Sequence, residues 1–509
     1  MPISKGVVVV VDPATTGGAL AVEVSKRGYE VIALWTDECA GMEDHVNQET
    51  AAWKESKGYF CELKERPTIE DTAAYVVKLS GGKPPLAIMC GAESGVKVCD
   101  KLTEFLKMRG NTTANGMENR RDKMVQQNAV KKTGVRAVRG LDGKVWEGEI
   151  EEFVDSEPFP IVVKPVESAG SEGVKLVRTK EEAQAHFHLL MNSQRMIGAS
   201  DAAVCIQEFL KGTEYVVDQV SKDGYHKTMM VWQYDKRPRN GSQFVYFGMV
   251  PVNPQSKTAQ WLIQYTRCAL DAIHFKNGPS HSEIMMTAQG PCLVEINCRC
   301  HGGNGAWMPL ASALTGGYNQ VTASIDCYLD DAAWNELPSA PAYPFKGSGC
   351  NIMFVSYVDG KVVSCPGYEE IKNFKSYVHV DEDISPGDSI SKTIDLFTST
   401  GQCILSHPDP AVVEADVKRI RHLENSNKMF IVEGVTADER ASIASERTST
   451  VRPSMVDRMQ EQHATAELMA AQIEYDAKVA EEKKKSTVLA AGAAAAVGTL
   501  GAALLMVKK

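Results

Sequence analysis

The length and composition of the chain narrow the classes of protein to which it can belong. Its 509 residues exceed one ordinary domain and suggest about three. Hydrophobic residues make up 43% and charged residues 24%, which is the composition of a globular protein and excludes wholesale disorder. With 55 lysines and arginines against 65 aspartates and glutamates, the net charge of −10 argues against a nucleic-acid-binding protein that neutralises phosphates.

The cysteines and the N-terminus predict a compartment. The 13 cysteines are scattered and odd in number, which favours reduced thiols in a reducing environment over a disulfide framework. The first residues continue directly into a predicted strand, so no secretory signal is expected. We therefore expect the body of the protein to lie in the cytosol.

The first predicted elements are those of an α/β domain. The run Val7–Val11 is apolar on both faces, as in a strand buried within a parallel sheet. A helix over residues 19–26 and a strand over residues 29–34 follow it. A second buried strand over residues 86–90 leads into another helix. This order predicts an N-terminal α/β domain over residues 1–115.

Three further regions follow, and they differ in composition. Residues 116–335 mix helices with strands and turns, which predicts a second, α+β domain. Residues 336–436 carry short strands and turns, typical of a small β-rich domain. Residues 437–485 are polar and rich in Ala, Glu, Lys and Met, which predicts an exposed helical tether.

The last segment, residues 486–507, predicts a membrane tail anchor. Residues 487–507 are 21 positions without a charge, and lysines flank them on both sides. About 20 apolar residues are enough to cross the hydrocarbon core of a bilayer. We expect anchoring in an intracellular membrane with the body facing the cytosol. The alternative is an alanine-rich helix packed on protein, which would leave the chain soluble in the cytoplasm.

Two lysine-bearing clusters have the composition of a phosphate site. Lys123 ends a run of charged residues where a helix begins, and alone it would be a solvated charge. Lys164 lies at the end of an apolar strand and precedes a loop of small residues, 168–173, whose amides and hydroxyls can close over phosphate oxygens. The loop matches neither the P-loop nor the dinucleotide fingerprint, and a plain hairpin loop is the alternative.

The third cluster lies in a strand-linker-strand segment. Glu208 begins a short linker whose backbone groups can pair with the edge of an adenine. Glu214 lies six residues further on, where a carboxylate can accept two ribose hydroxyls. Taken alone, the segment would be an ordinary connection between strands.

The fourth cluster is the most specific. Strand alternation places Glu295, Asn297 and Arg299 on one face, and a predicted hairpin brings Glu283 alongside. Two carboxylates and an amide oxygen are ligands suited to Mg²⁺, and the neighbouring guanidinium can stabilise developing phosphate charge.

The cysteines and histidine that follow offer a different interpretation. Cys298, Cys300 and His301 resemble zinc ligands, but no second pair of ligands follows at finger spacing. Alternation also turns both thiols away from the carboxylates, so buried cysteines are favoured. Neither a His–acid arrangement nor a nucleophile elbow supports Ser or Cys catalysis.

In this order, the four clusters resemble the ATP-grasp superfamily, over roughly residues 1–335. Within it, the chain is most similar to the L-amino-acid ligase branch, whose small C-terminal domain resembles residues 340–436. The resemblance implies an ATP-grasp fold, of class α/β and α+β. An N-terminal α/β domain precedes the nucleotide-binding domain, and a small β-rich domain follows it.

The resemblance also implies roles for individual residues. Those expected to contact ATP and its phosphates are Lys123, Lys164, the lid at Ser168 and Ser171, Glu208 and Leu210 at the adenine, and Glu214 at the ribose. Those expected to ligate two Mg²⁺ (or Mn²⁺) ions are Glu283, Glu295 and Asn297. Those expected to act in catalysis are Arg299 and Lys164. Those expected near the substrates are His281, His301 and Gly303.

The function implied is that of an ADP-forming carboxylate–amine ligase, acting on amino acids through an acyl phosphate. Its partners would be small-molecule carboxylates and amines, not nucleic acid, and a homodimer fits the resemblance. Two alternatives stay open. One is another ATP-grasp enzyme, a carboxylase or a ribosylamine–amino-acid ligase. The other is a membrane-tethered nucleotide-binding scaffold without turnover.

Overall fold

The computed structural model of the protein describes residues 4–114, 116–166, 173–192 and 203–434. These residues belong to one compact unit. The expected lid residues Ser168 and Ser171, the tether over 437–485 and the anchor over 486–507 lie outside the described residues. Within the described part of the chain, no helix is both long enough and apolar enough to cross a membrane.

A four-stranded parallel sheet forms the N-terminal part. Its strands and helices are β1 (Val7–Val11), α1 (Thr16–Lys26), β2 (Glu30–Trp35), α2 (Gln48–Ser56), β3 (Cys61–Lys64), α3 (Ile69–Leu79), β4 (Ala87–Cys90) and α4 (Val96–Phe105). The strand order is β3-β2-β1-β4. Strand β1 is inner, and both of its faces are buried: Val9 and Val11 pack in one core cluster, and Val8 and Val10 pack in another. This two-sided burial explains why the run is apolar at every position.

A smaller antiparallel sheet follows in the chain. Its elements are α5 (Lys123–Lys132), β5 (Gly140–Gly143), α6 (Glu149–Ser156), β6 (Ile161–Pro165), β7 (Lys175–Val177), α7 (Lys180–Asn192) and β8 (Val204–Glu208). The strand order is β5-β8-β6-β7. Helices α6 and α7 cover one face of this sheet through a core around Trp146 and Phe187.

The rest of the described chain is dominated by a large antiparallel sheet. Its strands and those after it are β9 (Gly212–Lys222), β10 (Tyr225–Arg239), β11 (Ser242–Pro251), β12 (Gly278–Thr287), β13 (Gly290–Asn297), β14 (Ser348–Met353), β15 (Gly360–Ser364), β16 (Tyr377–Asp381), β17 (Ser389–Ile390), β18 (Gln402–His407) and β19 (Ile431–Val432). The helices are α8 (Lys257–Ala272), α9 (Met308–Thr315), α10 (Gln320–Leu329), α11 (Asp331–Glu336), α12 (Pro366–Lys372) and α13 (Pro410–Asn425). The eight-stranded order is β13-β12-β9-β10-β11-β14-β18-β16.

Three strands from residues 336–436 therefore extend the large sheet, whereas β15, β17 and β19 form a sheet of their own. Arg421 on α13 fastens this region to the large sheet. Its guanidinium donates to the carbonyls of Phe247 and Met353 and pairs with Glu424 at 2.8 Å. Glu424 in turn accepts a hydrogen bond from the Val355 amide.

Strand β13 is an edge strand, and helix α5 satisfies its outer backbone groups. The Gln126 amide both donates to the Ile296 carbonyl (2.9 Å) and accepts from the Ile296 amide (2.7 Å). Gln127 donates to the Leu293 carbonyl at 3.0 Å. Unpaired groups on a buried edge are costly, so these contacts fix α5 against β13. They also hold Lys123, at the start of α5, over the same strand.

Candidate active site

A β-bulge at Val294 sets the geometry of the site. The ladder between β12 and β13 pairs Ile284 with Leu293, but Glu283 with Glu295, so Val294 has no partner of its own. The extra residue reverses the inward and outward alternation at this point. The bulge thus places Glu295 directly opposite Glu283, as the predicted hairpin required.

Facing carboxylates repel each other, and neighbouring cations compensate here. The Lys123 ammonium lies 2.8 Å from Glu295, and His281 Nε2 lies 3.3 Å from Glu283. The Asn297 amide donates to Glu295 at 3.0 Å. Burial alone would raise the pKa of Glu295, but Lys123 lowers it below its ordinary value. The pKa of Glu283 is lowered too, because Lys236 and His281 outweigh its burial.

This donor set fits a divalent cation. Two ionised carboxylates and an amide side chain lie on adjoining positions of two paired strands, all partly or fully buried. Hard oxygen ligands of this kind are those that Mg²⁺ takes, together with phosphate oxygens.

Glu214, expected at a ribose, lies beside Glu283. Its carboxylate pairs with the Lys236 ammonium at 2.6 Å. Burial raises the pKa of Glu214, and the charge of Glu283 raises it further. Lys236 also lies over the rings of Tyr234 and Tyr246. Sequence reasoning missed Lys236, since a lysine near the end of a long strand is typical of a solvated position.

Lys164 lies on β6, opposite Cys205 on β8. Lys164 is only 8% exposed, and burial lowers the pKa of its ammonium group. Within the described residues, the Lys164 ammonium has neither a hydrogen-bond acceptor nor an ion-pair partner. A buried ammonium without a partner is costly, so this position suits an anionic ligand such as a phosphate.

The two residues expected at the adenine lie next to each other but have different surroundings. The Glu208 carboxylate accepts from the Arg139 amide at 2.9 Å and lies 3.0 Å from the Arg139 guanidinium. Leu210 is buried in a small apolar cluster with Val138 and Cys292. The side chain of Glu208 is thus engaged, and an adenine would be met by backbone groups and by the apolar cluster.

Arg299 is held by a residue that follows strand β4 of the N-terminal sheet. Its Nε atom lies 3.5 Å from the Glu93 carboxylate, and its guanidinium donates to the Cys300 carbonyl at 2.9 Å. Glu93 also lies 3.7 Å from Arg121. Sequence reasoning missed Glu93. An available indication was its position just after β4, because ligands gather at the carboxyl ends of parallel strands.

Two of the three residues expected near the substrates contact a buried aspartate. His281 and His301 both hydrogen-bond Asp218, at 3.0 and 2.9 Å. Gly303 follows in a turn with a positive φ of 68°, and space is open where a side chain would project. Asp218 was also missed, because it lies inside an otherwise ordinary strand.

The two cysteines of this strand end are buried, as predicted. Cys298 packs in the core shared with the N-terminal sheet, and Cys300 packs on the opposite side near Trp307. Burial raises the pKa of the Cys300 thiol to about 12, so it stays protonated at neutral pH. Neither thiol has the character of a zinc ligand.

Comparison with known proteins agrees with this geometry. Residues 157–307 match the protein-family model described as "ATP-grasp domain". The chain is 27% identical over 343 residues to dapdiamide A synthase of Enterobacter agglomerans, an alignment covering 66% of this chain and 79% of that protein. It is 23% identical over 253 residues to alanine–anticapsin ligase of Bacillus subtilis, covering 46% of this chain and 52% of that ligase.

Among solved structures, an L-amino acid ligase from Bacillus licheniformis superposes with a TM-score of 0.64 at 16% identity. That match covers 85% of this chain and 100% of the ligase chain, and at this identity it establishes the fold. The chain has the ATP-grasp α/β fold and is an ATP-grasp enzyme. Within that class, it is similar to ligases that join a carboxylate to an amine.

Proposed function

We propose that this enzyme is an ADP-forming ligase that joins the carboxylate of one small molecule to the amine of another, with amino acids as the substrate class. The main support is the convergence of two ionised carboxylates, Glu283 and Glu295, with Lys123 and Arg299 in one buried site. Such a site neutralises phosphate charge and, among the residues that the structure describes, holds no activated nucleophile, which suits phosphoryl transfer from ATP.

Each residue has a role in this proposal. Glu283, Glu295 and Asn297 would hold Mg²⁺ (or Mn²⁺), which when bound neutralises charge on the ATP phosphates. Lys123 and Lys164 would contact the phosphates. Arg299 would stabilise the charge that develops as the substrate carboxylate attacks the γ-phosphorus and ADP leaves.

The second half of the reaction makes the amide. The amine nitrogen attacks the carbonyl carbon of the acyl phosphate, and inorganic phosphate leaves with the bonding electrons. Exclusion of water protects the acyl phosphate until the amine arrives. The small-residue loop that contains Ser168 and Ser171 would supply this cover.

A screen of amino-acid pairs tests the proposal. The purified chain lacking residues 486–509 is incubated with ATP, Mg²⁺ and pairs of acids and amines, and ADP and amide are measured together. We expect ADP formation that depends on both substrates and equals the amide formed. ADP that depends on bicarbonate or on a ribosylamine would favour the other ATP-grasp reactions. ATP binding without any turnover would favour a scaffold.

Two buried lysines give a contrasting pair of predictions about stability. Lys164→Met should raise the thermal midpoint of the ligand-free protein, because it removes a buried charge that has no partner among the described residues. It should also raise the KM for ATP about 10- to 100-fold, since a charged hydrogen bond contributes about 1.5–3 kcal/mol. Differential scanning fluorimetry and steady-state kinetics measure the two effects.

Lys227→Met is the matched control. Lys227 is 6% exposed, and its ammonium donates to the carbonyls of Trp334 and Leu337 at 2.6 and 2.5 Å. The same substitution should therefore lower the midpoint and leave the KM for ATP unchanged. A lower midpoint for Lys164→Met, or an unchanged KM, would contradict the assignment of Lys164 to the phosphates.

We further propose that residues 487–507 anchor the enzyme in an intracellular membrane, with the catalytic body in the cytosol. The support is the uncharged run of 21 residues between lysines. Deleting residues 486–509 should move the protein from the membrane pellet to the supernatant and leave kcat within about twofold. Sedimentation of the shortened chain with membranes would contradict the anchor. Size-exclusion chromatography of that chain also tests the expected homodimer.

A further inference from the structure

A buried carboxylate organises two histidines beside the proposed phosphate site. Asp218 on β9 is fully buried and accepts three hydrogen bonds: from Trp232 Nε1 at 2.8 Å, His281 Nδ1 at 3.0 Å and His301 Nδ1 at 2.9 Å. Burial alone would raise the pKa of Asp218, but the histidines lower it, so it is ionised and only accepts. Both Nδ1 atoms therefore carry a proton.

The two histidines differ in their second nitrogen. His281 Nε2 lies 3.3 Å from the Glu283 carboxylate. Because its Nδ1 is bonded to Asp218, both nitrogens of His281 face carboxylates and are engaged by the protein. His301 Nε2, in contrast, has no hydrogen-bond partner among the described residues.

His301 is thereby prepared as a neutral base. Burial lowers its pKa, and the neighbouring His281 and Arg299 lower it further, against the opposing effect of Asp218. With Nδ1 protonated, Nε2 carries the lone pair. The single proton of the neutral ring thus lies on Nδ1, in the hydrogen bond to Asp218, and the lone pair on Nε2 is available to a ligand.

The position of His301 is fixed from several sides. Its carbonyl accepts from Thr16 Oγ1 at 2.6 Å, and its amide donates to Gln320 at 2.8 Å. Its ring centroid lies 4.2 Å from that of His281 and 5.4 Å from that of Trp307. The His301 ring is therefore held firmly. It contacts His281, which in turn contacts the proposed metal ligand Glu283, so His301 would lie close to the place where the acyl phosphate forms.

We propose that His301 is the general base that deprotonates the amine substrate and that Asp218 is the positioning residue that orients it. This inference rests on the proposed ligase function, because a base is needed only if the second substrate is an amine that arrives as an ammonium ion. The other candidates in the described site are engaged: His281 faces two carboxylates, and Glu93 faces two guanidinium groups.

In the proposed step, one proton is transferred before the amide bond forms. His301 Nε2 takes one proton from the substrate ammonium, which leaves a neutral amine. The nitrogen forms a bond to the carbonyl carbon of the acyl phosphate, and the bond from that carbon to the phosphate oxygen breaks. The phosphate leaves with the electron pair and takes the second proton of the nitrogen. The products are an amide, inorganic phosphate and protonated His301.

The cluster also has the composition of a metal site, since one ligand-type atom from each of Asp218, His281 and His301 lies within 4.8 Å of the others. The hydrogen bonds argue against that use. Both Nδ1 atoms donate to the carboxylate, and Trp232 adds a third donor, so the carboxylate is satisfied by protein groups.

The test compares two nucleophiles on one preparation of His301→Gln. Hydroxylamine is largely neutral at pH 7 and needs no base, so it traps the acyl phosphate as a hydroxamate. We expect hydroxamate formation within about threefold of wild type. Amide formation from an amino acid should fall about 10²- to 10⁴-fold, the usual contribution of a general base. The ratio of the two rates does not depend on the fraction of protein that is folded.

Two further variants sharpen the result. Asp218→Asn should lower the same ratio about tenfold or more, because an amide cannot accept from all three donors. His226→Gln is the matched control: this buried histidine hydrogen-bonds Ser221 and Asp271 elsewhere in the sheet, and its ratio should equal that of wild type.

Raising the pH supplies neutral amine from solution, so amide formation by His301→Gln should recover as the pH rises. Equal losses of amide and hydroxamate, no loss of either, or an unchanged ratio in Asp218→Asn would overturn the inference. A wild-type enzyme that forms neither product with any acid would instead overturn the ligase function itself.

Discussion

Replacing Glu295 with glutamine is expected to lower kcat at least ~10³-fold while the protein stays folded. The substitution keeps the shape of the side chain but removes a charged ligand from the proposed metal site. A loss of about 4 kcal/mol of charge stabilisation corresponds to about three powers of ten in rate. The Mg²⁺ concentration needed for half-maximal ADP formation should rise as well.

The fold is expected to survive because two electrostatic effects oppose each other. Lys123 loses the ion pair at 2.8 Å, but the repulsion between Glu295 and Glu283 across the strands is relieved. Glu370→Gln is a suitable control, since it breaks an exposed ion pair with Arg419 and should change neither rate nor thermal midpoint. Residual activity above one tenth of wild type would rule out Glu295 as a metal ligand.

Replacing Arg299 with alanine is expected to lower kcat at least ~10²-fold, as for loss of one donor that stabilises a transition state. The KM for ATP should change little, because the interaction strengthens mainly as charge develops on the transferred phosphoryl group. ADP release measured over a range of ATP concentrations separates the two constants.

An exposed arginine supplies the comparison. Arg109→Ala removes an ion pair with Asp223 at the surface and should leave both constants unchanged. If Arg299→Ala raised the KM for ATP and spared kcat, Arg299 would be a binding residue. The proposal that Arg299 stabilises the transition state would then be wrong.

Much of this site could be predicted from local sequence patterns. Alternation from Glu295 to Cys298 depends on neighbouring residues alone, and the structure buries Ile296 and Cys298 on the core side as expected. The same alternation was wrong for Cys300, which lies beyond the end of β13 and packs on the other side. The hairpin turn before β13 made the pairing of Glu283 with Glu295 predictable as well. Patterns of this kind need no knowledge of distant segments.

What sequence reasoning missed depends on contacts between distant segments. Glu93 reaches Arg299 from the helical turn after β4, and Asp218 meets His301 through strand pairing and loop placement. Likewise, no local pattern in residues 336–436 indicates that three of their strands extend the large sheet. A charged residue in such a place has the same local pattern as one exposed to water.

The irregularity at Val294 has a consequence for anyone who redesigns this protein. A regular ladder is the arrangement that idealised design favours, and a one-residue slip that paired Val294 with Glu283 would restore it. The restored register would turn Glu295 away from Glu283 and bring an apolar side chain into its place. Under the proposed function, turnover therefore depends on the bulge at Val294, and we expect a protein with a regular ladder to fold but to lack activity.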